Sequence, residues 1–272
     1  MLAWAVLFSV LSGVGLSGEL GSNPASCELI ADSDTIALWH FNEGDEQSIT
    51  DASGNGRDLT LGPSSNVDAA DPTWSEGVFG GGLFFDSSIC DIQSPNCVDA
   101  DYANGTGSNT FPSNTMTVEL WIKPTGGSGG GEYAQIFTAG FINAFMATRL
   151  SSNEIQIGIG DGSNWELLTV SADPVDLDDG KWHYLALTYG AGIITIYADG
   201  QPAGSGAGTT VLASPNDYKI GGRPFNTFLD GWMDEVRISD STRTAIDIED
   251  AWERALPCLL IFKDGFESEV EF

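Results

Sequence analysis

From Thr35 onward the chain repeats one device: a short apolar run, then a cluster of Gly, Asp, Asn, Ser or Pro. Runs of that length are too short for stable helices and match strands closed by turns. The pattern predicts strands at Ile36 to Phe41, Leu83 to Phe85, Met116 to Ile122, Ala134 to Ala139, Ala144 to Leu150 and Glu154 to Ile159. Further strands are predicted at Glu166 to Ser171, Trp182 to Tyr189, Ile193 to Ala198, Lys219 to Gly221 and Met233 to Ile238. Asp199-Gly200 supplies the two positive-φ residues of a tight hairpin turn after Ile193 to Ala198, with Tyr184 to Tyr189 expected to pair beside that strand. Helical periodicity occurs once, between Thr244 and Arg254. There Thr244 and Asp247 form a capping-box pair, Ile248, Trp252 and Ala255 fall on one face, and Pro257 is expected to end the helix. Many strands, one short C-terminal helix and no strand–helix alternation predict an all-β sandwich of two packed antiparallel sheets.

Length agrees with that reading: 272 residues suit one large all-β domain better than two mixed domains. The Gly-rich stretch Gly126 to Gly131 is expected to be a loop and not a boundary, because strand patterns continue on both sides of it. Charge then removes two function classes. Asp plus Glu number 39 against 10 Lys plus Arg, a formal net charge of -29, which repels phosphate backbones and anionic headgroups. Nucleic acid is therefore not an expected partner. Acid excess in a folded chain instead suggests carboxylates with cationic company, calcium being one candidate cofactor.

Leu2 to Leu16 is apolar and uncharged, too short to span a bilayer, and followed by small residues around Gly18 to Ser22. Residues 1–22 are accordingly expected to be a signal peptide, although Met1 to Trp4 carry no Lys or Arg. The mature chain is then secreted, periplasmic or at the cell surface, without membrane insertion. Four cysteines, Cys27, Cys90, Cys97 and Cys258, form an even set in an exported chain, which favours disulfides over metal ligation. Of the three possible pairings, Cys90 with Cys97 is favoured by the Ser-Pro-Asn turn between them, which leaves Cys27 for Cys258.

Fragments in order carry a family resemblance: Ala37 to Gly44 (ALWHFNEG), Asp51 to Gly56 (DASGNG), Gly77 to Asp86 (GVFGGGLFFD), Thr117 to Pro124 (TVELWIKP), Asp179 to Tyr189 (DGKWHYLALTY), Ile196 to Gly200 (IYADG) and Leu229 to Ile238 (LDGWMDEVRI). Together they resemble laminin-G-like jelly-roll modules of the concanavalin A-like lectin and glucanase superfamily. The resemblance implies a jelly-roll domain over about 27–256, a short tail at 257–272, and little about the ligand. Within the tail, Ile261 to Ser268 is similar to a short terminal signature of secreted bacterial proteins.

Glycoside hydrolysis on this fold needs two carboxylates facing each other, which related glucanases supply as Glu-x-Asp-x-Glu on a strand. The nearest match, Ala245-Ile246-Asp247-Ile248-Glu249, has Ala at the nucleophile position and lies on the predicted helix. His40 and His183 are the only histidines, and no nucleophile turn accompanies them. Catalytic residues are therefore not assigned. Asp51 and Asn55 on a Gly-containing loop, with Asp234, are the candidate calcium ligands, because the first and last strands of this fold are neighbours. An Asx-turn and a salt link from Asp234 to Arg237 or Arg57 is the structural alternative. Sugars are commonly held by exposed aromatics backed by amides and carboxylates. Trp165, Asn164, Tyr102, Trp74 and Phe225, set among Gly, Asn, Asp and Ser, are the candidate ligand residues, whereas Trp39, Trp121 and Trp182 are expected in the core. The expected function is a non-catalytic module binding a carbohydrate or a glycosylated extracellular partner. A structural or adhesive protein–protein module is the alternative, and a polysaccharide hydrolase or lyase ranks below both.

Overall fold

A computed structural model describes residues 27–86, 102–105, 114–125, 134–139, 144–160, 165–208, 218–223 and 227–261. The first half of the chain contributes β1 (Thr35–Trp39), β2 (Ser48–Ile49), β3 (Leu59–Leu61), β4 (Thr73–Glu76), β5 (Gly81–Phe85), β6 (Ala103–Gly105), β7 (Thr115–Pro124) and β8 (Ala134–Ala139). The second half adds β9 (Ala144–Arg149), β10 (Glu154–Gly160), β11 (Trp165–Ser171), β12 (His183–Gly190), β13 (Ile193–Ala198) and β14 (Gln201–Ala207). It closes with β15 (Tyr218–Ile220), β16 (Gly222–Arg223), β17 (Thr227–Phe228), β18 (Gly231–Ser239) and the helix α1 (Ala245–Ile261).

Two antiparallel sheets form the sandwich. The first runs β14-β13-β12-β7-β18-β5-β4, with β1 also paired to β18, and the second runs β11-β10-β9-β8-β15-β6-β3-β2. Strand alternation sorts β7 cleanly: Met116, Val118, Leu120 and Ile122 enter the core between the sheets, while Glu119 and Trp121 face the other way. Against the first row, the second sheet sets Ile155, Ile157, Ile159, Met146, Phe137 and Ile220, all buried. Behind the first sheet a second apolar layer joins Leu38, Trp121, Tyr184 and Tyr197 to Ile248, Ala251, Ala255 and Leu259 of α1. Trp252 stacks on Trp121 with ring centroids 5.2 Å apart. The first sheet is thus covered on both faces, which is why β7 and β12 are buried almost from end to end, polar positions such as Glu119 and His183 included.

Within that second layer lies a buried ionic network. Glu119 Oε2 accepts from Arg237 Nε at 2.8 Å, and its Oε1 accepts from Arg237 Nη2 at 2.7 Å and from the Tyr184 hydroxyl. Arg243, just before α1, adds Nε at 3.1 Å from Glu119 Oε2, and Arg237 Nη1 donates to the Ile30 carbonyl at 2.7 Å. Four segments therefore meet on one carboxylate and its arginine: β7, β12, β18 and the stretch entering α1, with the N-terminal segment tied on through Ile30. A disulfide joins Cys27 to Cys258 across 231 positions and pins the N-terminal segment to the helix.

The predicted hairpin turn is present, with Asp199 at φ 47° and Gly200 at φ 76°, and β12 pairs with β13 as expected. The capping box is reciprocal: Thr244 N donates to Asp247 Oδ2 at 2.7 Å and Asp247 N to Thr244 Oγ1 at 3.2 Å. Two expectations need correction. Pro257 does not stop the helix but lies inside it; continuation through one exposed proline carries Cys258 to Cys27 and Leu259 into the core, contacts that offset the lost amide. The first strand ends at Trp39, because Phe41 takes φ 53°, a left-handed conformation that breaks the extended run. Residues 1–22, the Cys90 and Cys97 loop, the Gly126 to Gly131 stretch and the tail beyond 261 lie outside the described residues.

Two stability predictions follow from this layer. Arg237→Ala strands the Glu119 carboxylate without its main partner and is expected to cost about 3 to 5 kcal/mol in urea unfolding, whereas a loss below about 1 kcal/mol would show that the network contributes little. Cys258→Ser reopens the long covalent loop and is expected to remove about 2 to 5 kcal/mol, seen as a lowered melting temperature; an unchanged melting temperature would show that the link to Cys27 contributes little.

Candidate ligand-binding face

Since α1 and the N-terminal segment cover the outer face of the first sheet, the outer face of the second sheet is where the described residues present polar chemistry. Its strands place Leu59, Leu61, Ala103, Tyr218, Ile220 and Phe137 in the core. The alternating residues point outward and fall in register: Thr60 opposite Asn104, Asn104 opposite Lys219, and Lys219 opposite Thr138. Lys219 Nζ donates to Asn104 Oδ1 at 3.0 Å and lies 4.5 Å from the centroid of the Tyr102 ring. On the neighbouring strands Gln135 accepts from Thr138 at 3.4 Å, and Gln156 Nε2 donates to Thr169 Oγ1 at 3.1 Å. Thr138 and Gln135 are buried and back the row from β8, while Thr60, Asn104, Lys219, Gln156 and Tyr102 are half-buried and form its accessible part. Hydroxyls and amides that both donate and accept, with one ammonium over an aromatic ring, suit a polyhydroxylated ligand.

Among the candidate aromatics whose side chains are described, Tyr102 lies on this face. Trp74 instead lies in β4 at the edge of the first sheet, half-buried against the core, with its indole N–H donated to the Glu46 carbonyl at 2.9 Å. Trp165 opens β11, paired with Gly160, and its side chain is outside the described residues, as are Asn164 and Phe225. Sequence reasoning missed Asn104, Lys219, Thr138, Gln135 and Gln156. Their signal was the polar member of each alternating strand pair, which single-sequence reading treats as ordinary solvent-facing residues.

The three residues expected around calcium are each held by backbone groups, the two aspartates by amides and Asn55 by a carbonyl. Asp51 Oδ1 accepts from Leu38 N at 3.0 Å and Ser53 N at 2.9 Å, and its Oδ2 accepts from Arg57 N at 3.0 Å. Asn55 Nδ2 donates to the Thr35 carbonyl at 3.0 Å, clamping this loop on β1. Asp234, fully buried, accepts from Phe79 N at 3.0 Å and Glu235 N at 2.7 Å. Burial, together with the adjacent Glu235, pushes the Asp234 pKa well above the usual carboxylate range.

Glu235 belongs to a different grouping. A bulge in β18 between Asp234 and Arg237 gives it φ 53° and directs its carboxylate to His40, with Nδ1 to Oε1 at 2.7 Å. Its other oxygen accepts from Leu29 N at 2.6 Å. Burial raises the Glu235 pKa and outweighs the opposing pull of His40. His183 sits between two carboxylates, 3.1 Å from Asp199 through Nδ1 and 3.0 Å from Asp179 through Nε2. Asp199 also accepts from Tyr184 N at 2.9 Å, so this cluster braces the β12–β13 hairpin, a structural role.

The sequence profile of the concanavalin A-like lectin/glucanases superfamily matches residues 99–249, more than half of the chain. No curated protein sequence matches it. Among solved structures, domain 4 of AbnA, an extracellular GH43 arabinanase of Geobacillus stearothermophilus, in complex with arabinotriose, is similar at TM-score 0.61 and 17% identity, covering 80% of this chain and 98% of that domain. The binding domain of botulinum neurotoxin DC is similar in complex with SialylT at TM-score 0.60 and 13% identity, covering 82% of this chain. In complex with rat synaptotagmin II the same kind of domain gives TM-score 0.59 and 13% identity. The chain spans about half the length of these toxin domains, 51% and 52%. At such identities the likeness is one of fold.

The carboxylates around His183 give a pH prediction. Burial disfavours its charge, but the hydrogen bonds and charges of Asp199 and Asp179 prevail and raise its pKa above 6.5. A raised folded-state pKa stabilises fully below the unfolded value and is lost as pH rises through the folded value. The melting-temperature gap between the wild type and His183→Asn is therefore expected to be larger at pH 6 than at pH 8.5, and a gap independent of pH would remove the charged clamp.

Proposed function

Because the chain belongs to the concanavalin A-like lectin/glucanases superfamily, we propose that it is a non-catalytic module that binds a glycan or the glycan of an extracellular partner, chiefly on the outer face of its second sheet. The observation that carries this reading is the in-register, half-buried row Thr60, Asn104 and Lys219, with the Tyr102 ring beside it. A sugar presents hydroxyls in several directions and buries little apolar area. Affinity then comes from side chains that are already ordered, since fixing flexible groups on binding costs free energy. Lys219 is ordered by Asn104 and Tyr102 before any ligand arrives.

Recognition without chemistry is supported by the location of the acidic groups. Asp247 caps α1, and Glu119 is neutralised by Arg237 under the helix layer, so neither acts on a bound sugar. The solved neighbours bound to arabinotriose and to SialylT support a carbohydrate ligand, while the synaptotagmin complex supports a protein partner as the alternative. An extracellular setting is supported by the Cys27–Cys258 disulfide and by the first of these neighbours, part of an extracellular enzyme. Calcium is not required by this reading, since the Asp51 carboxylate is already filled by amides.

The test is a glycan array followed by titration of the best-retained sugar. Lys219→Ala and Asn104→Ala are each expected to weaken binding about tenfold or more, the loss of one charge-assisted hydrogen bond, with melting temperatures near that of the wild type. Competition by the free sugar separates glycan recognition from protein docking. Full affinity in both variants, or a folded protein that retains no glycan, would overturn the proposal.

A further inference from the structure

We propose that Glu28, His40 and Glu235 form a binding site for one divalent transition-metal ion of the zinc type. Each of the three offers one donor atom, and these atoms lie within 4.8 Å of one another. They come from three places in the chain: the segment after Cys27, the residue following β1, and the bulge of β18. The bulge is what makes the convergence possible, because the φ of 53° at Glu235 turns its carboxylate toward His40.

The donor set sorts the metals. One imidazole nitrogen with two carboxylate oxygens is a ligand combination of zinc and its neighbours, whereas calcium prefers six to eight oxygens. Three protein ligands leave a position for water. The surroundings also fix the ligands as a metal site requires. Glu235 Oε2 is held by Leu29 N at 2.6 Å, Glu28 Oε1 accepts from Asn42 Nδ2 at 3.0 Å, and Asn42 Oδ1 is itself held by Gly81 N at 2.7 Å. His40 keeps partial exposure, its side chain 22% accessible, which gives an ion a route in.

Charge supplies a separate argument. Asp234 and Glu235 are consecutive and both fully buried, yet among the described residues the only group of positive character that reaches either is His40. Glu28 and Glu43 add further negative potential at that imidazole. The exchange balances simply: the ion takes the His40 Nδ1 lone pair, and the proton held there leaves to solvent. In tetrahedral coordination with bonds of about 2.0 Å the nitrogen and oxygen stand about 3.3 Å apart, so the present 2.7 Å contact opens slightly as the proton is replaced.

The full chain, stripped with a chelator and dialysed, is titrated with zinc by calorimetry and followed by thermal melting. The wild type is expected to take up one zinc ion with micromolar or tighter affinity and to melt at a higher temperature, with millimolar calcium giving neither effect. Glu28→Gln, at the surface end of the site, is expected to weaken zinc at least tenfold, and His40→Gln to abolish it. His183→Gln, at the other histidine cluster, is expected to change nothing. If His40→Gln does not fold, Glu28→Gln still decides. Absence of stoichiometric zinc binding overturns the site, and so does equal binding by the wild type and Glu28→Gln, which would signify diffuse uptake by surface carboxylates.

Discussion

A carboxylate buried beneath a helix must be neutralised where it sits, because moving an unpaired charge out of water costs several kcal/mol. Glu119 is such a group, and the way it is satisfied organises one whole side of the molecule. Its partners reach it from β12, β18 and the approach to α1, and Arg237 extends the contact to Ile30. A polar cluster of this kind adds less net stability than an apolar one of equal volume. What it adds is register, because a slip of β18 against β7 by one residue would turn Arg237 to the opposite face and leave Glu119 unpaired.

With that register set, the outer face of the first sheet closes. Trp252 of α1 stacks on Trp121 and Tyr184 of the sheet, and the disulfide holds the N-terminal segment across the same side. Closure has two consequences. It turns the polar chemistry of the sandwich to the second sheet, whose outward residues are amides, hydroxyls and Lys219. It also leaves the bulge of β18 between Asp234 and Arg237 beside the first strand, where Glu235 meets His40 and an acidic corner forms.

How far the sequence spoke depended on whether an element was defined by its own residues or by its neighbours. Ala134 to Ala139 and Ile193 to Ala198 were legible to the residue, because each is a short apolar run between strong turn signals, and so was the Asp199-Gly200 turn. By contrast β14, with sequence QPAGSGA, carries almost no strand propensity and is held in place by pairing with β13. The two-residue strands β2, β16 and β17 are likewise products of tertiary pairing. For α1 the start was local and readable in Thr244 and Asp247, but the end was not, since the disulfide and Leu259 outweigh Pro257. The candidate face was harder still. Tyr102 stood out as an aromatic in a polar loop, but Asn104, Lys219 and Thr138 become neighbours only through the order β8-β15-β6-β3, which a single sequence does not disclose.

In the proposed arrangement one sheet is sealed to hold the fold while the other faces the ligand. Hydrogen–deuterium exchange with and without the best-bound glycan tests it most directly, because it reports on every strand at once. Ligand-dependent protection is expected in β6, β8 and β15, with no change in α1 or in the segment from Cys27 to Asp32. Protection confined to α1 and that N-terminal segment would contradict it.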